Sequence, residues 1–338
     1  MLYFYMAVKT MEVIQLKKVI VPLLCVPFLL LSACSDEKEK AVTHEESAAF
    51  KPETIKIGKD SKLTIVPLYT PYQTYLNESL KKDDSAMDVK NYSKYVLGYI
   101  DKIGEQENFN PNSLKSFFLL QSTTNEQDLL DRTNELAKRH DEIKEIITNS
   151  YIASHKVLPK KNSTIFIAPS NPEFWSMIDP LEGVGGAAFK DSIIFNLNPD
   201  FDQDVLAYTV AHEYHHLVLN DTPELSSIDT SLDSVIFEGK ADAFADRIIK
   251  DVTPPWDRPI DEAAKKHVAR LIGNGEANYQ EITMGNTEKD IPLWSRYSLG
   301  RDILTHHLKA NPDLAVKAWT YEENDDTLKG YKYQDLLK

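Results

Sequence analysis

Residues 209–218 read Thr-Val-Ala-His-Glu-Tyr-His-His-Leu-Val, and they decide how the rest of the chain is interpreted. The stretch contains His-Glu-x-x-His, with its histidines at positions 212 and 216. On a helix, His212 and His216 lie on one face, one turn apart, and can chelate a single metal ion. Glu213 then lies beside the open coordination position, where a glutamate can act as general base. The apolar flanks predict a helix buried in a cleft.

A catalytic zinc site uses three protein ligands and keeps one position for water, so we expect a third ligand on the next helix. Glu238 fits this requirement. Asp242 follows one turn later on the same face, where it can accept the ring N–H of a liganding histidine. Two alternatives remain: the two carboxylates form a solvated acidic face, or His215 is the third ligand. Because the motif glutamate works from its second position, we interpret His215 as supporting the site or exposed, and we expect one zinc ion per chain.

The wider sequence predicts an α+β fold that is rich in helix, with a small mixed sheet. We expect a mainly helical region over residues 51–160 and the catalytic region over 161–338. Apolar runs and turn residues predict strands at 63–68, 163–169 and 187–197, with a glycine turn at 183–186. Helical periodicity predicts helices at 86–103, from 112, and at 125–155, 202–220, 232–250 and 292–310.

The N-terminus has the pattern of a bacterial lipoprotein signal. A short basic stretch precedes the apolar run at 19–31, which is too short to span a bilayer comfortably. It ends in Leu-Ser-Ala-Cys, with the cysteine at position 34. We therefore expect a signal peptide at 1–33, a lipid on Cys34 and a flexible tether at 34–50, which places the protein on the extracytoplasmic face of a bacterial cell membrane. The alternatives are an uncleaved anchor or a core helix, and the start at Met1, Met6 or Met11 stays open.

The composition limits the kinds of partner that the chain can bind. The net charge is −14, which disfavours nucleic acid because DNA and RNA need a positive surface. The two cysteines are Cys25 and Cys34, so the rest of the chain has no disulfide and no cysteine-based zinc site. The expected partners are a peptide or protein substrate, and the membrane through the N-terminal lipid.

His-Glu-x-x-His followed by Glu-x-x-x-Asp resembles the gluzincins, the thermolysin-like zinc peptidases. The 209–216 helix, the Glu238-Gly239 pair and Tyr-x-x-Gly at 297–300 are also similar to a bacterial family of predicted zinc-dependent proteases. The resemblance covers roughly residues 90–310 and implies a zincin-like fold and hydrolysis of peptide bonds, but no particular substrate. One departure is Phe237, which replaces an asparagine that often supports the second histidine, so His216 needs another partner.

The same resemblance draws attention to an oxyanion donor and a substrate-binding edge. Tyr297 is the first candidate for the donor, followed by Arg301 and His306. Their structural alternatives are a core tyrosine, an ion pair and an exposed helix face. Gly186, Ala187 and Ala188 lie one strand before the motif helix, where small residues let another backbone approach closely. The alternative for this segment is a glycine turn that leads into a core strand.

Two non-enzymatic functions compete with hydrolysis. The chain could use a zincin fold as a binding or chaperone lipoprotein, although a pure binding site has no need of Glu213. It could also be a solute-binding lipoprotein in which the motif is accidental. Metal content separates the second alternative from the other two functions, and turnover separates an enzyme from a binding module.

Overall fold

A mixed sheet organises the part of the chain that the computed structural model describes, residues 50–81 and 85–338. Its five strands are β1 (Glu53–Ile57), β2 (Ser61–Pro67), β3 (Asn162–Pro169), β4 (Val184–Ala188) and β5 (Ser192–Leu197), in the order β1-β2-β3-β5-β4. The three central strands run parallel, and β1 and β4 pair antiparallel at the two edges. The predicted regions 51–160 and 161–338 therefore share one sheet.

The N-terminal predictions concern residues that mostly lie outside this description. The signal peptide at 1–33, Cys34 and the tether up to residue 49 fall there. Phe50 is described, and its backbone N–H donates to Thr70 Oγ1 at 3.2 Å. Across residues 50–81 and 85–338, no helix combines the length and the apolar character needed to cross a bilayer.

Helices cover both faces of the sheet. Before β3 they are α1 (Tyr69–Ser79), α2 (Ser85–Tyr92), α3 (Gly98–Glu107), α4 (Asn112–Lys115), α5 (Glu126–Lys138) and α6 (His140–Val157), with a π-helical turn at Ser93–Leu97. After β3 come α7 (Trp175–Ile178), α8 (Gln203–Leu219), α9 (Pro223–Ser226), α10 (Ser231–Ile248), α11 (Glu262–Gly273), α12 (Tyr279–Met284), α13 (Ser295–Ala310), α14 (Val316–Thr320), α15 (Asn324–Thr327) and α16 (Gln334–Leu337). Short 3₁₀ turns lie at Pro172–Phe174, Asp179–Leu181 and Thr287–Lys289. The α+β prediction is confirmed.

The central strands are buried on both faces, which explains their continuous apolar sequence. Ile165 and Ile193 face the core that α6 and α8 complete. Phe166 and Ile194 face the opposite core, which contains residues of α1 and α3. The sheet thus separates the motif helix α8 from most of the N-terminal helices.

The predicted helix at 125–155 is wrong in its continuity. The structure has α5 and α6, separated at Arg139, whose guanidinium pairs with Glu142 at 2.7 Å and donates to the Pro199 carbonyl. Both helices turn an apolar stripe toward the interior, so the periodic pattern continues across the break. A one-residue interruption is invisible to such a pattern.

The predicted turn at 183–186 is also wrong, and the predicted strand at 187–197 is correct as one strand only from Ser192 to Leu197, which form β5. Only Gly183 has the left-handed backbone of a turn, with φ of 75°, and the chain is already extended at Val184. Residues 189–191 then reverse the chain, so the segment forms the β4–β5 hairpin. The glycines suggested a turn, but Gly185 and Gly186 lie in strand β4. Side chains of neighbouring helices approach these two glycines closely.

Candidate metal centre

Helix α8 is buried along almost its whole length. Asp202 begins it by accepting a hydrogen bond from Val205 N at 2.9 Å. The helix then packs between the sheet, α6 and α10, which explains why it is apolar on every side. Its buried polar side chains include His212, Glu213, His215 and His216. Buried polar groups require hydrogen-bond or metal partners, so these side chains need partners on the neighbouring elements.

Helix α10 brings the second set of polar groups. A capping box between Thr230 and Asp233 fixes its start. Glu238 and Asp242 follow and are buried at 7% and 0% exposure, so they are not a solvated acidic face.

The predicted ligand atoms converge. His212 Nε2 lies 3.0 Å from Glu238 Oε2 and 3.1 Å from His216 Nε2, and His216 Nε2 lies 3.4 Å from Glu238 Oε2. Zinc bonds of about 2.0–2.1 Å in tetrahedral geometry separate two ligand atoms by about 3.3 Å, so the triangle fits one zinc ion. The set of two imidazoles and one carboxylate also suits this metal.

The proton on His212 is fixed by its neighbour. Nδ1 lies 2.9 Å from Asp242 Oδ1, and a carboxylate only accepts, so Nδ1 donates and Nε2 keeps its lone pair for a metal. Burial lowers the pKa of His212, but the hydrogen bonds with Asp242 and Glu238 outweigh it and raise the pKa to about 10. A metal ion needs the lone pair of Nε2, so metal binding at His212 is coupled to the release of a proton.

Asp242 has further partners that the sequence did not reveal. Its Oδ1 also accepts from Trp256 Nε1 at 3.1 Å, and the Trp256 ring packs edge-on against His212 with centroids 5.6 Å apart. Arg301 lies 3.7 Å from Asp242 Oδ2. Trp256 belongs to a loop without periodic pattern, so no sequence signal connected it with the motif.

Phe237, which stands where an asparagine often supports the second histidine, is in direct contact with that histidine. The Phe237 ring stacks on the His216 ring, with centroids 4.1 Å apart and an interplanar angle of 8°. Within the described residues, His216 Nδ1 has no hydrogen-bond partner. The second histidine is therefore held by stacking rather than by the polar partner that we expected it to find.

Glu213 lies against the edge strand β4. A Cβ at Gly186 would come within 2.9 Å of Glu213 Cγ, so this glycine leaves room for the carboxylate. Burial raises the pKa of Glu213, although both histidines and a hydrogen bond from the Ala188 backbone oppose the rise. A buried carboxyl group with a raised pKa that is not a ligand is suited to proton transfer.

The pairing of β4 with β5 determines which main-chain groups of β4 point to its open edge. Phe189 N donates to Ser192 O at 2.7 Å, and Asn198 N donates to Gly183 O at 2.9 Å. Because hydrogen-bonded pairs alternate in an antiparallel ladder, Ala187 also directs its main chain toward β5. Residues 186 and 188 direct theirs outward. The Ala188 N–H donates to Glu213, and its carbonyl accepts from Asn220 at 3.4 Å. Among the described residues, Gly186 is therefore the predicted edge residue whose outward main-chain groups have no partner.

Helix α13 contributes Tyr297 and a residue that sequence reasoning missed. Arg296 is buried, and its Nη2 donates to Glu238 Oε1 at 2.9 Å and to Tyr297 Oη at 2.7 Å. Burial acts to raise the pKa of Glu238, but Arg296 and the two histidines hold it well below its usual range. Tyr297 lies beside His212, with ring centroids 6.4 Å apart.

The other candidates lie elsewhere. Arg301 forms ion pairs with Asp246 and Asp257, behind Asp242, which matches its structural alternative. His306 packs against the Tyr331 ring. His215 is fully buried, stacks on Trp319 and faces Thr320 Oγ1 at 3.3 Å. Of the two interpretations, that it supports the site or that it is exposed, the second is therefore wrong.

A family model described as "Predicted Zn-dependent protease (DUF2268)" matches residues 143–329, more than half of the chain. The chain belongs to this family, and the matched segment contains α8, α10 and α13. No curated protein and no solved structure matches the chain.

We expect Asp242→Asn to weaken zinc binding by roughly 10–100-fold, because the amide keeps an acceptor but loses the charge that supports His212. Competition with a chelator measures the affinity. Asp302→Asn is the matched control, since Asp302 pairs with Lys265 and Tyr331 on the other side of α13. Unchanged affinity in Asp242→Asn would show that this carboxylate does not support the ligand.

Proposed function

We propose that this chain is a zinc-dependent metallopeptidase with a zincin-like fold. One zinc ion is held by His212, His216 and Glu238. The observation that carries the proposal is the triangle of buried ligand atoms 3.0–3.4 Å apart, with the non-ligand carboxylate of Glu213 next to it. A binding module needs the triangle but not that carboxylate. Membership of a family described as zinc-dependent proteases supports the same conclusion.

Each side chain then has a role. Zinc, when bound, supplies a Lewis acid that polarises a carbonyl and acidifies water. Glu213 accepts the proton from the attacking water and returns it to the leaving amine, a transfer that its buried position favours. Asp242 holds His212 in the tautomer that presents Nε2.

Tyr297 is suited to stabilise the oxyanion. Because its hydroxyl oxygen already accepts a hydrogen bond from Arg296, its own proton is free to be donated. A hydrogen-bond donor that is already in place beside the reacting carbonyl stabilises the transition state more than it stabilises the bound substrate.

The free edge of β4 is the proposed binding site for an extended peptide. Gly186 directs an N–H and a C=O outward beside Glu213, and a substrate strand can pair with both. Ala187 and Ala188 keep this stretch low in bulk. The pairing would hold one substrate carbonyl next to the base.

We expect Glu213→Gln to retain one zinc ion per chain and to lose peptide hydrolysis, because the change removes the base but no ligand. His212→Ala, His216→Ala and Glu238→Ala should each lose the metal. Metal analysis of the fragment from residue 35 onward, together with digestion of a peptide library, measures both properties.

The outcomes separate the alternatives. Hydrolysis by Glu213→Gln at the unaltered rate would refute the mechanism. Zinc binding by the unaltered fragment without cleavage of any peptide would favour the binding or chaperone module. A fragment that binds no zinc would refute both.

The edge proposal is tested on the substrate. Once a cleaved peptide is known, we expect N-methylation at one backbone position to reduce kcat/KM about tenfold, since a net hydrogen bond contributes roughly 0.5–1.5 kcal/mol. Methylation elsewhere along the peptide is the control. Equal effects at every position, or none, would place the substrate away from Gly186.

Membrane anchoring through Cys34 is the last part of the proposal. We expect mass spectrometry of the native protein to find a mature N-terminus at Cys34 that carries acyl chains. Cys34→Ala should leave no lipid-modified protein in the membrane fraction. An unmodified N-terminus at another residue would contradict the lipoprotein assignment.

A further inference from the structure

Arg296 makes two contacts that meet at one nitrogen. Its Nη2 lies 2.9 Å from Glu238 Oε1 and 2.7 Å from Tyr297 Oη. Glu238 Oε2, the other oxygen, is the one that faces His212 and His216. The two oxygens of Glu238 therefore have separate tasks: one accepts from the arginine, and the other points to the metal position.

The guanidinium is held firmly in this position. Arg296 is 3% exposed, and its Cζ lies 4.4 Å from the Tyr279 ring centroid and 4.7 Å from the Tyr297 ring centroid. Within the described residues, its Nε and Nη1 have no hydrogen-bond partner. Stacking on aromatic faces thus supplies much of its environment, and the contact with Glu238 supplies the countercharge.

We infer that Arg296 is a positioning residue that restricts Glu238 to binding a metal through one oxygen and orients the Tyr297 hydroxyl as a donor. The first half concerns the metal alone, and the second half rests on the proposed function. Without Arg296, Oε1 would be free to bind as well, and Tyr297 would lose the group that its oxygen accepts from.

A merely structural role for Arg296 predicts a different effect on metal binding. If Arg296 only neutralises Glu238, any cation at this position is sufficient, and the coordination of a bound metal is unaffected by the exchange. If Arg296 positions both groups, the planar guanidinium is needed, because a lysine ammonium does not stack on the Tyr279 and Tyr297 rings and so is not held at the point where the two contacts meet.

The test uses the fragment from residue 35 onward with Arg296→Lys, which keeps the charge and removes the planar group that stacks on Tyr279 and Tyr297. We expect the zinc affinity to fall about 10–100-fold in chelator competition. We also expect the visible absorption of the Co²⁺-substituted protein to weaken, because a second oxygen of Glu238 raises the coordination number. The melting temperature of the metal-free protein is recorded in parallel.

Two further variants define the comparison. Arg139→Lys is the matched control, because Arg139 also pairs with a carboxylate and stacks on a ring, that of Phe201 at 3.9 Å, but contacts none of the ligands. It should leave the zinc affinity and the cobalt spectrum unchanged. Tyr297→Phe should keep both metal properties and lower kcat, which separates the two tasks of Arg296.

Each outcome decides the inference. Unaltered affinity and spectrum in Arg296→Lys, in a chain that binds zinc normally, would overturn it and leave the proposed function standing. If Arg296→Lys does not fold, Tyr279→Leu takes its place, because it keeps the arginine charge and removes one of the rings that hold the guanidinium. Failure of both variants to fold would assign Arg296 to stability and overturn the inference. A chain that binds no metal would overturn the inference and the proposed function together.

Discussion

The site depends on the cost of burying carboxylates between helices. Glu238 and Asp242 are removed from water, and an isolated buried carboxylate is strongly unfavourable. Imidazole and guanidinium groups from α8 and α13 compensate this cost, so the polar groups of three helices depend on one another. The apolar surroundings strengthen these interactions, because charges attract more strongly at low dielectric.

Two glycines make this arrangement geometrically possible. A Cβ at Gly239 would overlap the Gly300 carbonyl oxygen, and a Cβ at Gly300 would overlap the Val235 carbonyl oxygen. Helices α10 and α13 therefore touch backbone to backbone, which brings Arg296 within reach of Glu238. The glycines in the Glu-Gly pair and in Tyr-x-x-Gly thus have a packing explanation that is independent of chemistry.

Local spacing was sufficient to predict the residues that share a helix. His212 and His216 are related by one turn, as are Glu238 and Asp242, and the structure brings them together. Contacts between distant segments carry no such signal. Arg296 and Trp256 reach the site only through the packing of α13 and of a loop, so no pattern in the sequence identified them. The fold was predictable in part. Periodicity and apolar runs predicted helices α8, α10 and α13 and the buried strands β2 and β3. Helices α1 and α11 were not predicted, and the break at Arg139 and the β4–β5 hairpin depend on tertiary packing.

The two histidines of the site are not equivalent. His212 donates its outer N–H to the Asp242 carboxylate, which makes its other nitrogen more electron-rich. His216 rests on the face of Phe237, and within the described part of the chain its outer nitrogen has no such partner. A cation at this site would therefore be bound unevenly, strongly on the Asp242 side and weakly on the Phe237 side. The weaker bond is the one that would open first, so exchange of the ion with solvent would begin at His216.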